Sequence, residues 1–140
     1  MANTLETLLR LREAARKETL AALRKAEAER EAQMGRLADV RLSIVHARTA
    51  VDITDANDVT NYHSFRLRQE MAERREAARL AQKDRELEAR RTAHISRVRD
   101  ELSLSELIDA REHAAALEAN RHEQSKMDEI ASRGSRYDAA

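Results

Sequence analysis

No proline and only two glycines occur in 140 residues, and one decapeptide near the middle, Val51-Asp-Ile-Thr-Asp-Ala-Asn-Asp-Val-Thr60, is the single stretch that clearly refuses a helix. Proline would end a helix and an interior glycine would weaken it by about 1 kcal/mol, so little else in the chain interrupts helical structure. The expected fold is therefore all-α: two long helices joined by one turn, with helix 1 over about 3–50, the turn over about 51–60 and helix 2 over about 61–133. Three aromatics, Tyr62, Phe65 and Tyr137, and 37% charged residues cannot furnish an ordinary globular core. One antiparallel coiled-coil hairpin spanning 1–140 meets these limits. Much of its apolar content is alanine, which favours helix and buries little area, so only moderate stability is expected.

Asn3 is a plausible cap for helix 1, with Glu6 three residues on as in a capping box. The apolar stripe then follows steps of three and four through Leu20, Leu23, Met34, Leu37, Val40, Ile44, Ala47 and Val51, extended backward by Leu9 and Leu5, and is interrupted at Glu27 and Arg30. Helix 2 offers Leu80, Leu87, Ile95, Val98, Leu102, Leu107, Ala110, Ala114 and Leu117. Its steps from 87 to 95 and from 102 to 107 depart from a heptad and predict local changes of supercoil. Antiparallel pairing about the turn predicts that facing residue numbers sum to roughly 112. Leu37 is then expected to face the region of Arg75, Leu23 that of Ala89, and Leu5 that of Leu107.

The same register leaves helix 2 without a mate beyond about residue 110, an overhang of roughly 25 residues or 35 Å. A polar, solitary helix of that length is marginal in water, so the overhang is either a binding element or a segment that frays. Net charge is zero overall but unevenly spread: +3 over residues 1–50, −3 over 51–60, +5 over 61–99 and −5 over 100–140.

The turn collects Asp52, Thr54, Asp55, Asn57, Asp58 and Thr60, and Asp58 or Thr60 is the expected cap of helix 2. A calcium loop fails here, because Asn57 stands where glycine is required and His63 where glutamate is required. No phosphate-cradling glycine loop, nucleophile elbow or zinc-protease motif occurs, and there is no cysteine. His46, His63, His94, His113 and His122 show no ligand spacing with a third donor. No enzyme, cofactor or metal is expected. Carboxylates are expected to pair with arginine at i,i+4, as Glu70 with Arg74. The arginines between Arg66 and Arg99 are interleaved with six acids and lack an aromatic platform, which argues against nucleic-acid binding. No apolar run is longer than Ala114 to Leu117, far short of a membrane span, and the N-terminal residues lack the basic start and apolar run of a signal peptide, so a cytoplasmic protein is expected.

Two segments go beyond a generic coiled coil. Asn61-Tyr-His-Ser-Phe65 opens helix 2, and Ala119-Asn-Arg-His-Glu-Gln-Ser-Lys-Met-Asp-Glu-Ile-Ala-Ser-Arg133 lies on the overhang. With the length and the hairpin plan, they resemble the FliJ family, the coiled-coil component of the bacterial flagellar type III export apparatus. Asn120, Arg121, Gln124, Lys126, Met127, Asp128, Glu129, Ala131 and Arg133 match that family's C-terminal pattern, while Ile130 replaces an aromatic and Ser125 a lysine.

The resemblance implies a non-enzymatic stalk that inserts into the hexameric export ATPase and promotes its assembly and activity. Asn120, Arg121, Gln124, Lys126, Met127, Asp128, Glu129 and Arg133 are then the ATPase-contacting residues. It also implies contact with the cytoplasmic domain of the export gate, a membrane protein, through Tyr62, Phe65, Gln69, Ala72 and Glu76. Phe65 and Ala72 match the family there, whereas Gln69 and Glu76 stand where an aliphatic residue and a histidine are usual. The alternative for Tyr62 and Phe65 is an apolar plug closing the hairpin tip. Escort of export chaperones is a further implied role, and peripheral placement at the inner membrane would come through these partners. The equivalent stalk of a virulence secretion system and a plain oligomerisation coiled coil are the rival readings.

Overall fold

A computed structural model describes residues 2–138, so Met1, Ala139 and Ala140 lie outside the account. Two helices carry the fold: α1, Ala2–Thr49, of 48 residues, and α2, Ala56–Asp138, of 83 residues, with no strand among the described residues. The hairpin plan expected from the two proline-free stretches is the observed one.

The turn is shorter than expected. Residues 50–55 form it, and the segment 56–60 is already helical. The cause is a reciprocal cap one turn earlier than the sequence suggested. The Asp58 amide donates to Asp55 Oδ1 (2.9 Å), and the Asp55 amide donates to Asp58 Oδ2 (3.3 Å), so Asp55 flanks the helix while Asp58 sits three residues on. The Thr54 hydroxyl and amide also donate to Asp58 Oδ2, at 2.7 and 3.1 Å. Thr60 is inside α2, where its hydroxyl donates to the Ala56 carbonyl. At the other terminus α1 already includes Asn3, whose carbonyl accepts from the Thr7 hydroxyl, so Asn3 is not the flanking cap that was expected.

Hydrogen bonds from Thr54, first through its hydroxyl and then through its amide, hold the Asp58 carboxyl below the usual carboxylate value, with the Asp55 amide adding to the effect. A depressed value in the fold means that the cap's contribution is present above the unfolded value of about 4 and is lost as pH falls through the folded one. Carbon-detected NMR titration of Asp58 is expected to give a midpoint below the ordinary carboxylate range, with the Thr54 and Asp55 amide signals moving in step. An ordinary midpoint would contradict the cap.

The chain divides into two units, one made of residues 14–97 and the other of residues 1–13 with 98–140. In the first, α1 and α2 run antiparallel and are cross-linked by polar pairs. Thr19 Oγ1 lies 3.1 Å from His94 Nδ1, Lys83 Nζ donates to Glu29 (3.3 Å), Arg41 Nε donates to Glu73 (3.1 Å) and Arg30 pairs with Asp84. Gln33 Nε2 donates to the Glu76 carbonyl at 3.1 Å and to the Glu76 carboxylate. The partners' numbers sum to between 109 and 114, bracketing the expected 112. In the second unit the Arg12–Asp100 pair, at 3.2 Å, gives 112 itself.

The inner face of α1 departs from the leucine stripe read in the sequence. In the larger unit it runs through Arg16, Thr19, Leu23, Ala26, Arg30, Gln33, Leu37, Val40, Ile44 and Ala47, in unbroken steps of three and four. Gln33 is 2% exposed, and Met34, the residue expected there, is 44% exposed because one residue is about 100° around the helix. Ala26, not Glu27, fills the next layer, and Val51 is exposed beyond the end of α1.

On α2 the inner positions are Tyr62, Phe65, Gln69, Ala72, Glu76, Leu80, Lys83, Leu87 and His94. The extra residue in the heptad therefore falls between Ala72 and Leu80, where two steps of four follow one another. The expected departures at 87–95 and 102–107 do not occur. Ile95, Leu102 and Leu107 are exposed, while the smaller unit closes with Glu101, Leu104 and Ile108 on α2 and Leu5, Leu9 and Arg12 on α1.

Candidate functional site

Every residue from Asp109 to Arg136 is exposed while remaining helical. That is 28 residues, about 42 Å of helix at 1.5 Å per residue, with none of its side chains covered by α1. The overhang read from the register is therefore present, and it carries all eight residues expected to touch an ATPase.

Helical geometry sorts those eight. Taking Met127 as the centre of a face, Asn120 and Gln124 lie within about 60° of it, together with Glu123, Ile130, Ala131 and Gly134. Met127 and Ile130 are 67% and 68% exposed, large apolar side chains with no packing partner. Arg121 and Asp128 flank this face on one side and Lys126 and Arg133 on the other, at about 100–120°. Glu129 points to the back of the helix, where it accepts from Arg133 Nη2 at 3.0 Å. The overhang thus presents an apolar centre inside a mixed-charge frame, with Glu129 bracing one of the flanking cations. Ile130, passed over because the resemblance replaces an aromatic there, is as much part of that face as Met127.

The five residues expected at the export gate are placed differently. Tyr62, Phe65, Gln69, Ala72 and Glu76 are all half-buried on the inner side of α2. Tyr62, Phe65 and Gln69 share a narrow crevice with Ile44, Ala47 and Arg48 of α1. Glu76 accepts from Gln33 and also from Arg79 Nη1 at 2.8 Å. The aromatic pair closes the hairpin near its turn in the geometry of a plug.

Part of the charge on the α2 shaft is paired within the helix and across it. Arg66 pairs with Glu70 at 3.1 Å, so Glu70 takes the arginine four residues before it and not Arg74. Lys83 lies between Glu29 and Glu86, and its hydrogen bonds to Glu29 and then Glu86 raise its ammonium above the usual lysine value. No group of three metal-ligating side chains occurs among the described residues, and no helix there is long and apolar enough to cross a membrane.

Two helices paired antiparallel, cross-linked by polar groups and continued by a bare helical end, define an α-helical hairpin of the coiled-coil class. The model of the flagellar FliJ protein family matches residues 1–137, nearly the whole chain, and the chain belongs to that family. Its place is therefore among the coiled-coil proteins of flagellar type III export. A search of curated proteins gave no match.

Proposed function

We propose that this chain is a non-enzymatic stalk and regulator of the hexameric flagellar export ATPase, whose ring receives the overhang and is assembled and activated by it. The observation that carries this reading is the 28-residue helix from Asp109 to Arg136, exposed throughout and bearing the Met127–Ile130 face. An unpartnered helix of that length gains order by binding, and a flexible methionine framed by both signs of charge suits the inner wall of a ring. Family membership supports the flagellar system over a virulence system.

Contact with the cytoplasmic domain of the export gate belongs to the same proposal, through the edges that Tyr62, Phe65, Gln69, Ala72 and Glu76 leave exposed beside α1. Such partners would hold the protein in the cytoplasm against the inner membrane. Escort of export chaperones is part of the same proposal and follows from the family.

The test is ATP hydrolysis by the purified cognate export ATPase as the chain is added. The double variant Met127→Asp with Ile130→Asp, both surface positions, is expected to raise the half-stimulating concentration at least tenfold while leaving helicity unchanged. Equal stimulation by the variant would remove the overhang face from the contact.

A further inference from the structure

On the larger unit, α1 carries a second stripe beside its inner face: Glu31, Met34, Ala38, Arg41, Val45 and Arg48, again in steps of three and four and all exposed. Met34 and Val45, with Leu42 and with Leu80 of α2, border an open groove of about 460 Å³. Three large apolar side chains, Met34, Leu42 and Val45, are 44–56% exposed within three turns of helix. Arg41 is held by Glu73, whereas Glu31 and Arg48 take part in no ion pair among the described residues.

The stripe is self-complementary when inverted. About a point between Asp39 and Val40, Glu31 maps onto Arg48, Met34 onto Val45, and Ala38 onto Arg41. Two copies of α1 laid antiparallel about a twofold axis there would bring each Glu31 to the other copy's Arg48, and each Met34 to the other's Val45. The small Ala38 would leave room for the aliphatic stem of Arg41. An isologous contact demands that one patch complement itself, and acid-to-base inversion around an apolar centre meets that demand.

We propose that the occupant of this groove is a second copy of the chain, so that the protein self-associates through the Glu31–Arg48 stripe, independently of the overhang and of the stalk reading. The dimer closes the exposed Met34–Val45 surface when no other partner is engaged.

Sedimentation equilibrium of the full chain tests this. A reversible monomer–dimer equilibrium is expected, weakened by raised salt. Glu31→Arg alone and Arg48→Glu alone are each expected to weaken it roughly tenfold, since each places two like-charged contacts across the axis. The combined variant is expected to dimerise as the parent does. An equimolar mixture of the two single variants is expected to form a heterodimer, because one then carries two cations and the other two anions. Both exchanges are at exposed positions, and circular dichroism checks that helicity is kept. A chain that stays monomeric at every concentration, or single variants that neither weaken alone nor associate when mixed, would overturn the proposal. So would a monomeric chain in which Met34→Asp instead lowers ATPase stimulation, since the groove would then belong to that partner.

Discussion

Leu37→Ala is expected to cost about 3 kcal/mol, or a fall of about 10 °C in Tm, in urea and thermal unfolding followed by circular dichroism. Leu37 is 5% exposed and lies between two cross-links, Gln33–Glu76 before it and Arg41–Glu73 after it. These hold the helices apart at fixed register, so the cavity left by truncation cannot collapse fully. Among the described residues only Ala26, Leu37, Leu87 and Leu104 are buried and apolar, so each leucine carries an unusual share of the stability. The exposed cation–carboxylate pairs around them contribute little each. Met34→Ala, three residues away and outside the seam, is expected to cost under 1 kcal/mol. A similar loss at both positions would show that the inner face is wrongly assigned.

The second large effect is expected at Gln33. Its amide is buried and donates to both the backbone and the carboxylate of Glu76. Gln33→Ala removes both bonds, opens a cavity and leaves Glu76 under-solvated, at a cost of about 2 kcal/mol. Replacing both residues by leucine removes the polar groups together and is expected to match or exceed the parent in stability. The gain would come with looser register, because a buried hydrogen-bonded pair penalises alignments that leave either group unpaired. Disulfide trapping between cysteines placed across the seam reads this directly: one pair forms in the parent, and neighbouring registers form in the double-leucine chain. A double variant as unstable as Gln33→Ala would contradict the account.

Much of this arrangement was legible because local signals agreed. The absence of proline and the single turn-rich decapeptide were enough for two helices, and the turn's position was enough for a register within a few residues of that observed. The inner face was less legible, and for a definite reason. Following leucines assumes that the seam is apolar, but Arg16, Thr19, Arg30, Gln33, Lys83 and His94 occupy seam positions, some laying their carbon stems along the partner while the polar ends find bonds. Strict alternation of three and four, kept through those polar residues, would have found the seam of α1 and shown Met34 to lie outside it; on α2 the same rule breaks between Ala72 and Leu80, and only when resumed from Leu80 does it place Ile95 and Leu102 outside. The start of α2 was missed because aspartate favours turns and also opens helices; Asp55 and Asp58 do the second.

At the candidate site, motif order along the chain located the overhang residues but not their directions. Turning the same residues through about 100° each separates Glu129 from Asn120, Gln124 and Met127, and brings Ile130 in. For the tip, the sequence left Tyr62 and Phe65 open between plug and docking point. In the structure they line a crevice with Ile44 and Ala47 while staying half-exposed, an arrangement that serves both readings.

The most direct test of the stalk account compares ATP hydrolysis by the cognate export ATPase in the presence of the full chain and of a chain ending at Leu117. The shorter chain keeps every residue that faces α1 and should unfold at nearly the same temperature. Full stimulation by the complete chain and none by the shortened one is the predicted result. Equal stimulation by both would place the active contact on the paired helices and contradict the role assigned to the overhang.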